Sequence, residues 1–282
     1  MRFCTTFFIL LFIQCNIFAY NAIYKKSDSI SIENILKKLQ GTEYKTTGDI
    51  VLATAREFIG TPYVSGTLDK EPSEHLVVNT KEVDCTTFVE QIIAIVLTHK
   101  QKNSSFHSFC DNLERIRYRN GICNGYASRL HYISQWICDS AKHDEISEII
   151  GNAHTATQHL SLDFMSKHPY SYKQLKEDKE LIKEIEQHEL PFRDIDINYI
   201  PKKTLCKSQK EININDGDIL ALVTSVNGLD VSHVGFAFWE NGTLHLLHAS
   251  SNRECVIADE ESLYDYQKDR KSHLGVRVFR IK

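Results

Sequence analysis

Residues 231–249 read VSHVGFAFWENGTLHLLHA. Two runs rich in β-branched, aromatic and aliphatic residues, Val231 to Trp239 and Thr243 to Ala249, flank Asn241-Gly242, the residue pair that suits the left-handed positions of a two-residue hairpin turn. With that turn, Glu240 faces Thr243, and the register carried back along both strands sets His248 opposite Gly235 and Ser250 opposite His233. Side chains two apart on a strand share a face, so His233 and His248 become diagonal neighbours on one side of a sheet. Diagonal positions lie about 7–8 Å apart at the backbone, which lets two imidazoles meet through a hydrogen bond. The small Gly235 and Ala237 continue that face and leave room there for the N-terminus of a packed helix.

Further strands are expected at Ile219 to Val223, followed by an Asn227-Gly228 turn, and at Gly275 to Ile281. The earlier chain reads as helical. Ser31 is the expected cap of a helix with Ile32, Ile35, Leu36 and Leu39 inward, closed by Gly41. A second helix runs from Thr47 to Gly60 with Ile50, Ala53, Phe58 and Ile59 inward. Ser104 or Ser105 caps another carrying Phe106, Phe109, Leu113 and Ile116. Gly121 and Gly125 interrupt the rhythm, and Ser128 restarts it through Ile133, Trp136 and Ile137. From Asp144 to about Lys210 the chain is polar and mostly helical in pattern. Neither a linker nor a repeat separates it, so it is read as part of a helical elaboration, about residues 100–210, on one domain of residues 20–282. Helices first and antiparallel strands last indicate an α+β fold.

Which helix the hairpin receives is suggested by Val83-Asp84-Cys85-Thr86-Thr87-Phe88-Val89-Glu90. After Cys85, the apolar positions Phe88, Val89, Ile92, Ile93, Val96 and Leu97 follow a 3.6-residue period, predicting one face packed on a core. Asp84 is the expected N-cap. Cys85 then stands where unpaired N–H groups and the positive end of the helix dipole favour a thiolate, which predicts a thiol pKa below the usual value of about 8.5. A thiol nucleophile needs a base, and the base needs a third group to hold its tautomer. Cys85, His233 and His248 can fill those roles. Taken singly, each is more ordinarily a satisfied core residue; two histidines on one sheet face beside a helix-N-terminal cysteine favour the catalytic reading.

A formal net charge of −4 and the lack of a Lys/Arg run supply no field for a nucleic-acid backbone, and nucleic acid is set aside as a partner. Arg2, the uncharged run Phe3 to Phe18 and the small Ala19 read as a signal peptide, residues 1–19, too short for a spanning anchor. The expectation is an exported, periplasmic protein. Lipidation at Cys15 is the weaker alternative, because the bulky Gln14 precedes it. Cleavage after Ala19 removes Cys4 and Cys15 and leaves Cys85, Cys110, Cys123, Cys138, Cys206 and Cys255. With Cys85 as a free thiol the other five cannot all pair, and one or two disulfides stay open without an assignment. None of the six stands in a C-x-x-C, so no metal site is expected despite the chain's 13 histidines.

Thr61-Pro62-Tyr63, Asp84-Cys85-Thr86-Thr87-Phe88-Val89, Ser232-His233-Val234-Gly235-Phe236 and His248-Ala249-Ser250 together resemble the NlpC-type cell-wall hydrolases, papain-like cysteine enzymes that cut peptidoglycan peptides. The resemblance implies a papain-like core, with the cysteine-bearing helix packed on an antiparallel sheet. It also implies Cys85 as nucleophile, His233 as general base, His248 as the orienting third member and Tyr63 as the tyrosine reaching toward the reacting carbonyl. Tyr63 on its own reads equally as a half-buried aromatic with a wet hydroxyl. Departures are Thr86-Thr87 where Ser-Gly is common, a longer link between the histidines, and the large segment between cysteine and base.

Those departures, with Gly125-Tyr126-Ala127-Ser128-Arg129-Leu130-His131-Tyr132 and Leu244-His245-Leu246-Leu247-His248, resemble a branch of larger NlpC-type amidases acting on small muropeptides. The resemblance implies hydrolysis of the N-acetylmuramoyl-L-alanine bond, without metal or organic cofactor, and peptidoglycan fragments (muropeptides) as the partners; no obligate protein partner is inferred. Arg129 and His131 are implied substrate contacts, although on a solvated helix start such residues are ordinarily inert. An arginine fork suits a peptide carboxylate. The alternatives are an endopeptidase cutting between D-glutamate and the diamino acid, a catalytically idle wall-binding module, and, more remotely, a papain-like acyltransferase. Lack of a wall-anchoring repeat leans toward soluble fragments over intact wall.

Overall fold

A computed structural model describes residues 22–149 and 155–282. The expected leader, with Cys4 and Cys15, lies outside the described residues. Among them the strands are β1 (Ala22–Ile23), β2 (Leu76–Val77), β3 (Ile146–Glu148), β4 (Ala156–Leu160), β5 (Ile195–Pro201), β6 (Ile219–Thr224), β7 (Val231–Glu240), β8 (Thr243–Ser250), β9 (Cys255–Ser262) and β10 (His273–Ile281). The helices are α1 (Lys26–Gln40), α2 (Thr47–Arg56), α3 (Cys85–Lys100), α4 (Phe106–Arg117), α5 (Ile133–Ala141), α6 (Phe164–Lys167), α7 (Lys179–Glu189), α8 (Gln209–Ile212) and α9 (Leu263–Lys268). The fold class is α+β.

One sheet runs in the order β4-β5-β10-β6-β7-β8-β9, every neighbouring pair antiparallel, with β3 also paired to β10. The hairpin has the expected register, from Glu240 opposite Thr243 to Phe236 opposite Leu247. Its turn residues Asn241 and Gly242 have φ of 50° and 79°, the left-handed pair that this turn needs. Segment 144–210 departs from the helical expectation by supplying β3, β4 and β5 to the sheet. In β4 only Leu160 is fully buried, so an edge position on polar sequence hides the strand signal. β9 escaped for a similar reason, since its second half, Asp259-Glu260-Glu261, is charged.

Local physics also moves several boundaries. α1 begins a turn before Ser31, because the Asp28 carboxylate accepts from Lys25 N–H (2.9 Å) and, through its other oxygen, from the Thr80 N–H and hydroxyl (2.9 and 2.8 Å). That buried carboxylate ties α1 to the loop leading to Cys85. α2 ends at Arg56, so Ile59, expected inward, is 49% exposed, while Val51, Leu52, Ala55 and Phe58 are buried. Ser105 caps α4 as expected, accepting from Ser108 N–H at 3.1 Å. Ser128 does not start a helix: Tyr126–Ser128 is a single tight turn, and α5 starts at Ile133.

α3 is buried from Thr87 to Thr98 on all sides, more than the single face expected, because α1, α2 and α4 cover the side away from the sheet. Phe88 stands edge-on to both Phe236 of β7 (5.7 Å between ring centres) and Phe58 (6.1 Å). The opposite sheet face carries Leu220, Leu222, Ala237, Leu244, Leu246, Val276 and Val278 under Ile212 of α8 and Leu263 of α9. Hence Gly235 and Ala237 do not make room for α3. Their face belongs to the α8/α9 side, and α3 packs on the Val234/Phe236/Phe238 face. A third cluster, including Tyr132, Leu162, Met165 and Ile185, closes the elaboration on itself. No helix among the described residues is long and apolar enough to cross a membrane, and the six described cysteines are all unpaired.

Candidate active site

Asp84 and Thr87 fix the start of α3. Asp84 Oδ1 accepts from Thr87 N–H at 2.8 Å and Thr87 Oγ1 accepts from Asp84 N–H at 2.9 Å, a reciprocal capping box that satisfies two backbone donors. Cys85 is thereby the first helical residue. The loop before it is stitched to Thr61-Pro62-Tyr63: Val83 N–H donates to Pro62 O at 3.1 Å and Val64 N–H to Val83 O at 2.9 Å. Tyr63 sits close enough to feel Cys85 and Asp84, and its phenol is pushed up to about 12, by burial first and the neighbouring Cys85 and Asp84 second.

Cys85 lies beside the Val234 backbone, next to His233, and Cys85 and His233 line one cavity of about 110 Å³. His233 Nε2 lies 2.6 Å from His248 Nδ1, with the rings edge-to-face. The hairpin diagonal read from the sequence is therefore present. His248 is 0% exposed and its outer face meets the Tyr266 ring, 5.7 Å between centres. Gly235 is required beside it, since a Cβ there would stand 2.8 Å from His248 Cβ.

The electrostatics correct the expected thiolate. Burial, then the Asp84 carboxylate, pushes the Cys85 thiol up to about 12, outweighing the lowering effect of the neighbouring Val234 and Thr86. Burial, then His248, lowers His233 to about 3. Both shifts favour the neutral thiol and the neutral imidazole, with burial opposing what the helix start would do for a charged sulfur.

His131 lines the same cavity, its Nε2 3.0 Å from Tyr126 O, and burial lowers it to about 3. Arg129 is engaged elsewhere. Its guanidinium grips Glu74 through Nε and Nη2 (3.1, 2.9 and 2.7 Å) and Asp69 through Nη1 (3.0 Å), bridging the Tyr63 loop to the 125–132 segment. The fork expected for a substrate carboxylate is thus taken by Glu74. Two carboxylates also border the cavity: Glu90 is paired to Arg117 at 2.6 Å, and Asp230 accepts from Ser134 N–H at 2.6 Å and its neighbour Val231 N–H at 2.8 Å.

The sequence reading missed Asp259 and Tyr266, both against His248. The two-residue alternation of β9 would have set Asp259 on the His248 face had that strand been recognised. Among the described residues no cluster of three or more His, Cys, Asp or Glu could hold a metal ion.

Comparison with known proteins agrees with this architecture. Residues 53–276 match the family model described as AmiA-like, N-acetylmuramoyl-L-alanine amidase-like. A crystal structure of an N-acetylmuramoyl-L-alanine amidase from Bacteroides uniformis ATCC 8492 superposes with a TM-score of 0.79 at 38% identity, covering 84% of this chain and 99% of the other. A Bacteroides fragilis protein provisionally named a xylanase superposes at 0.76 and 42% identity, over 82% of this chain and 100% of that one. A protein from Legionella pneumophila str. Philadelphia 1, 22% identical over 90% and 94% of the two chains, shares the fold at 0.67. A search of curated protein sequences finds no match. With more than half of its length under the family model and relatives this similar, the chain belongs to the AmiA-like, N-acetylmuramoyl-L-alanine amidase-like family.

Proposed function

We propose that the protein is a cysteine-dependent N-acetylmuramoyl-L-alanine amidase of the papain-like NlpC type, acting on muropeptides after export to the periplasm. The observation that carries the reading is the juxtaposition of Cys85, first residue of a buried capped helix, with His233 across one cavity and His248 hydrogen-bonded behind it at 2.6 Å. Family membership and the amidase name of the Bacteroides uniformis relative support the bond assigned.

Cys85 sulfur attacks the lactyl carbonyl as its proton passes to His233, so that no free thiolate has to be stored in a buried site. The developing oxyanion takes hydrogen bonds from the Cys85 N–H at the helix start and the Tyr63 hydroxyl. His233 returns the proton to the departing L-alanine nitrogen, and water then hydrolyses the muramoyl thioester with His233 as base. No metal or organic cofactor enters these steps. His131, which lines the same cavity, is a further polar group for substrate, whereas Arg129 braces the loop carrying Asp69 and Glu74 against the 125–132 segment.

The test is mass spectrometry of products from a defined disaccharide tetrapeptide, with the mature protein and with Cys85→Ala. Free disaccharide and an intact tetrapeptide beginning with L-alanine are expected, and neither with Cys85→Ala. A disaccharide still carrying L-alanine and D-glutamate would make it an endopeptidase. Cleavage of xylan instead, which the Bacteroides fragilis name raises, would replace the reading; both cavity carboxylates are here already paired or hydrogen-bonded within the protein.

A further inference from the structure

The His233–His248 contact leaves undecided which ring carries the shared proton. If His248 donates, His233 Nε2 is a lone pair, its Nδ1 carries hydrogen and cannot accept the thiol proton. If His233 donates, Nδ1 of His233 is the free base. The identity of the donor therefore decides whether Cys85 has a base at all.

On the far side of His248, Asp259 Oδ2 lies 3.5 Å from Nε2, an ion-pair distance, and among the described residues no other group partners that fully buried nitrogen. The sheet puts it there. His248 faces Ile257 across β8 and β9, so Asp259, two residues on, shares its face as a diagonal neighbour, repeating on the next strand pair the step that joins His233 to His248. A bulge between His245 and Leu247 in the β8–β9 pairing gathers residues 259–261 opposite Leu246. Bulges of this kind re-aim a side chain. Asp259 is 8% exposed, and Glu261 N–H, 3.1 Å from its Oδ1, holds the carboxylate in place.

Resting on the cysteine-amidase reading, we propose that Asp259 is a positioning residue which sets the tautomer of the histidine pair. A carboxylate oxygen repels a ring lone pair and attracts an N–H, so His248 carries its hydrogen on Nε2. Its Nδ1 then accepts from His233 Nε2–H, and Nδ1 of His233 is left bare for Cys85. When the thiol sulfur bonds to the carbonyl carbon, the S–H proton moves to Nδ1 of His233 and the carbonyl π pair moves to oxygen. The imidazolium so formed is stabilised through His248 by the Asp259 charge. An asparagine at 259 can offer N–H to His248 Nε2 and so admits the reverse, inactive tautomer; a histidine held in the wrong tautomer is a known route to large losses of rate.

The experiment joins two readouts. Long-range 1H–15N correlation on the labelled wild type, with ring signals assigned through single histidine variants, is expected to show unprotonated Nδ1 in both His233 and His248. Kinetics on the disaccharide tetrapeptide should show Asp259→Asn lowering kcat about 10²-fold, the lower end of what a positioned base contributes, with KM unchanged within about twofold. Asp259→Glu, whose longer arm still presents a carboxylate, should recover at least about tenfold of that loss. A protonated Nδ1 on His248 in the wild type, or a kcat for Asp259→Asn near the wild-type value, overturns the proposal. If Asp259→Asn does not fold, the wild-type spectrum and the Asp259→Glu kinetics decide it. A wild type that leaves the muropeptide intact removes the amidase reading instead, while the tautomer measurement still tests Asp259.

Discussion

Gly235→Ala should uncouple the histidine pair without replacing either histidine. Its Cβ would stand 2.8 Å from His248 Cβ, 2.9 Å from Leu247 O and 3.0 Å from Leu246 Cδ1. Carbon atoms at rest need about 3.5–4.0 Å, so His248 or β7 must move by about 0.7–1 Å. Leu247 O is backbone and Leu246 lies in the core of the α8/α9 face, so the displacement falls mainly on His248. The 2.6 Å bond to His233 would then stretch to about 3.3–3.6 Å, past the range in which a nitrogen pair holds a hydrogen bond. A misplacement near 1 Å costs about 10²-fold in rate, and overpacking a tight site costs about 1–3 kcal/mol of stability. Urea unfolding and kcat on the disaccharide tetrapeptide measure both. Gly242→Ala is the control, since open space surrounds its Cβ. With φ of 79° it should lose about 1–2 kcal/mol and keep its kcat. A Gly235→Ala enzyme with kcat within about threefold of wild type would refute the argument that this glycine is there for the histidine contact.

Two further predictions concern stability. Arg117, its side chain 1% exposed, is held by Glu90 at 2.6 Å and Val77 O at 2.7 Å, so Glu90→Ala should destabilise by about 3–5 kcal/mol by stranding a buried cation, while Glu90→Leu with Arg117→Met restores most of it; equal urea midpoints for the single variant and wild type would refute this. Burial holds His233 and His131 near pKa 3 and His273 near 4 in the fold, against about 6.5 unfolded. Between those values the unfolded chain binds more protons, so this contribution is complete above about pH 6.5 and is lost as pH falls. Stability at pH 5.5 should lie about 2–4 kcal/mol below that at pH 7.5; equal or greater stability at pH 5.5 in urea unfolding would contradict neutral burial of these rings.

Much of the site was legible because its signals are local. Asn241-Gly242 admits the left-handed turn, the turn sets the register, and the register puts His233 and His248 on one face; Asp84 before Cys85 marks a helix start. β4 and β9 were not legible, since edge strands need no apolar alternation, while the internal β5, with Ile195, Ile197 and Tyr199 alternating, was passed over within a stretch read as helical. Asp259, which reaches His248 only through such a strand, went with them.

The sequence by itself determined the hairpin, the helix that begins at Cys85 and the histidine diagonal, all consequences of short-range backbone geometry. Tertiary structure decided the rest. That α3 packs on the Phe236 face, that Arg129 is committed to Glu74, and that the thiol is driven up where the helix dipole alone would lower it each depend on what long-range packing removes from water. Desolvation of a charge is a property of every neighbour at once, and no stretch of sequence carries it.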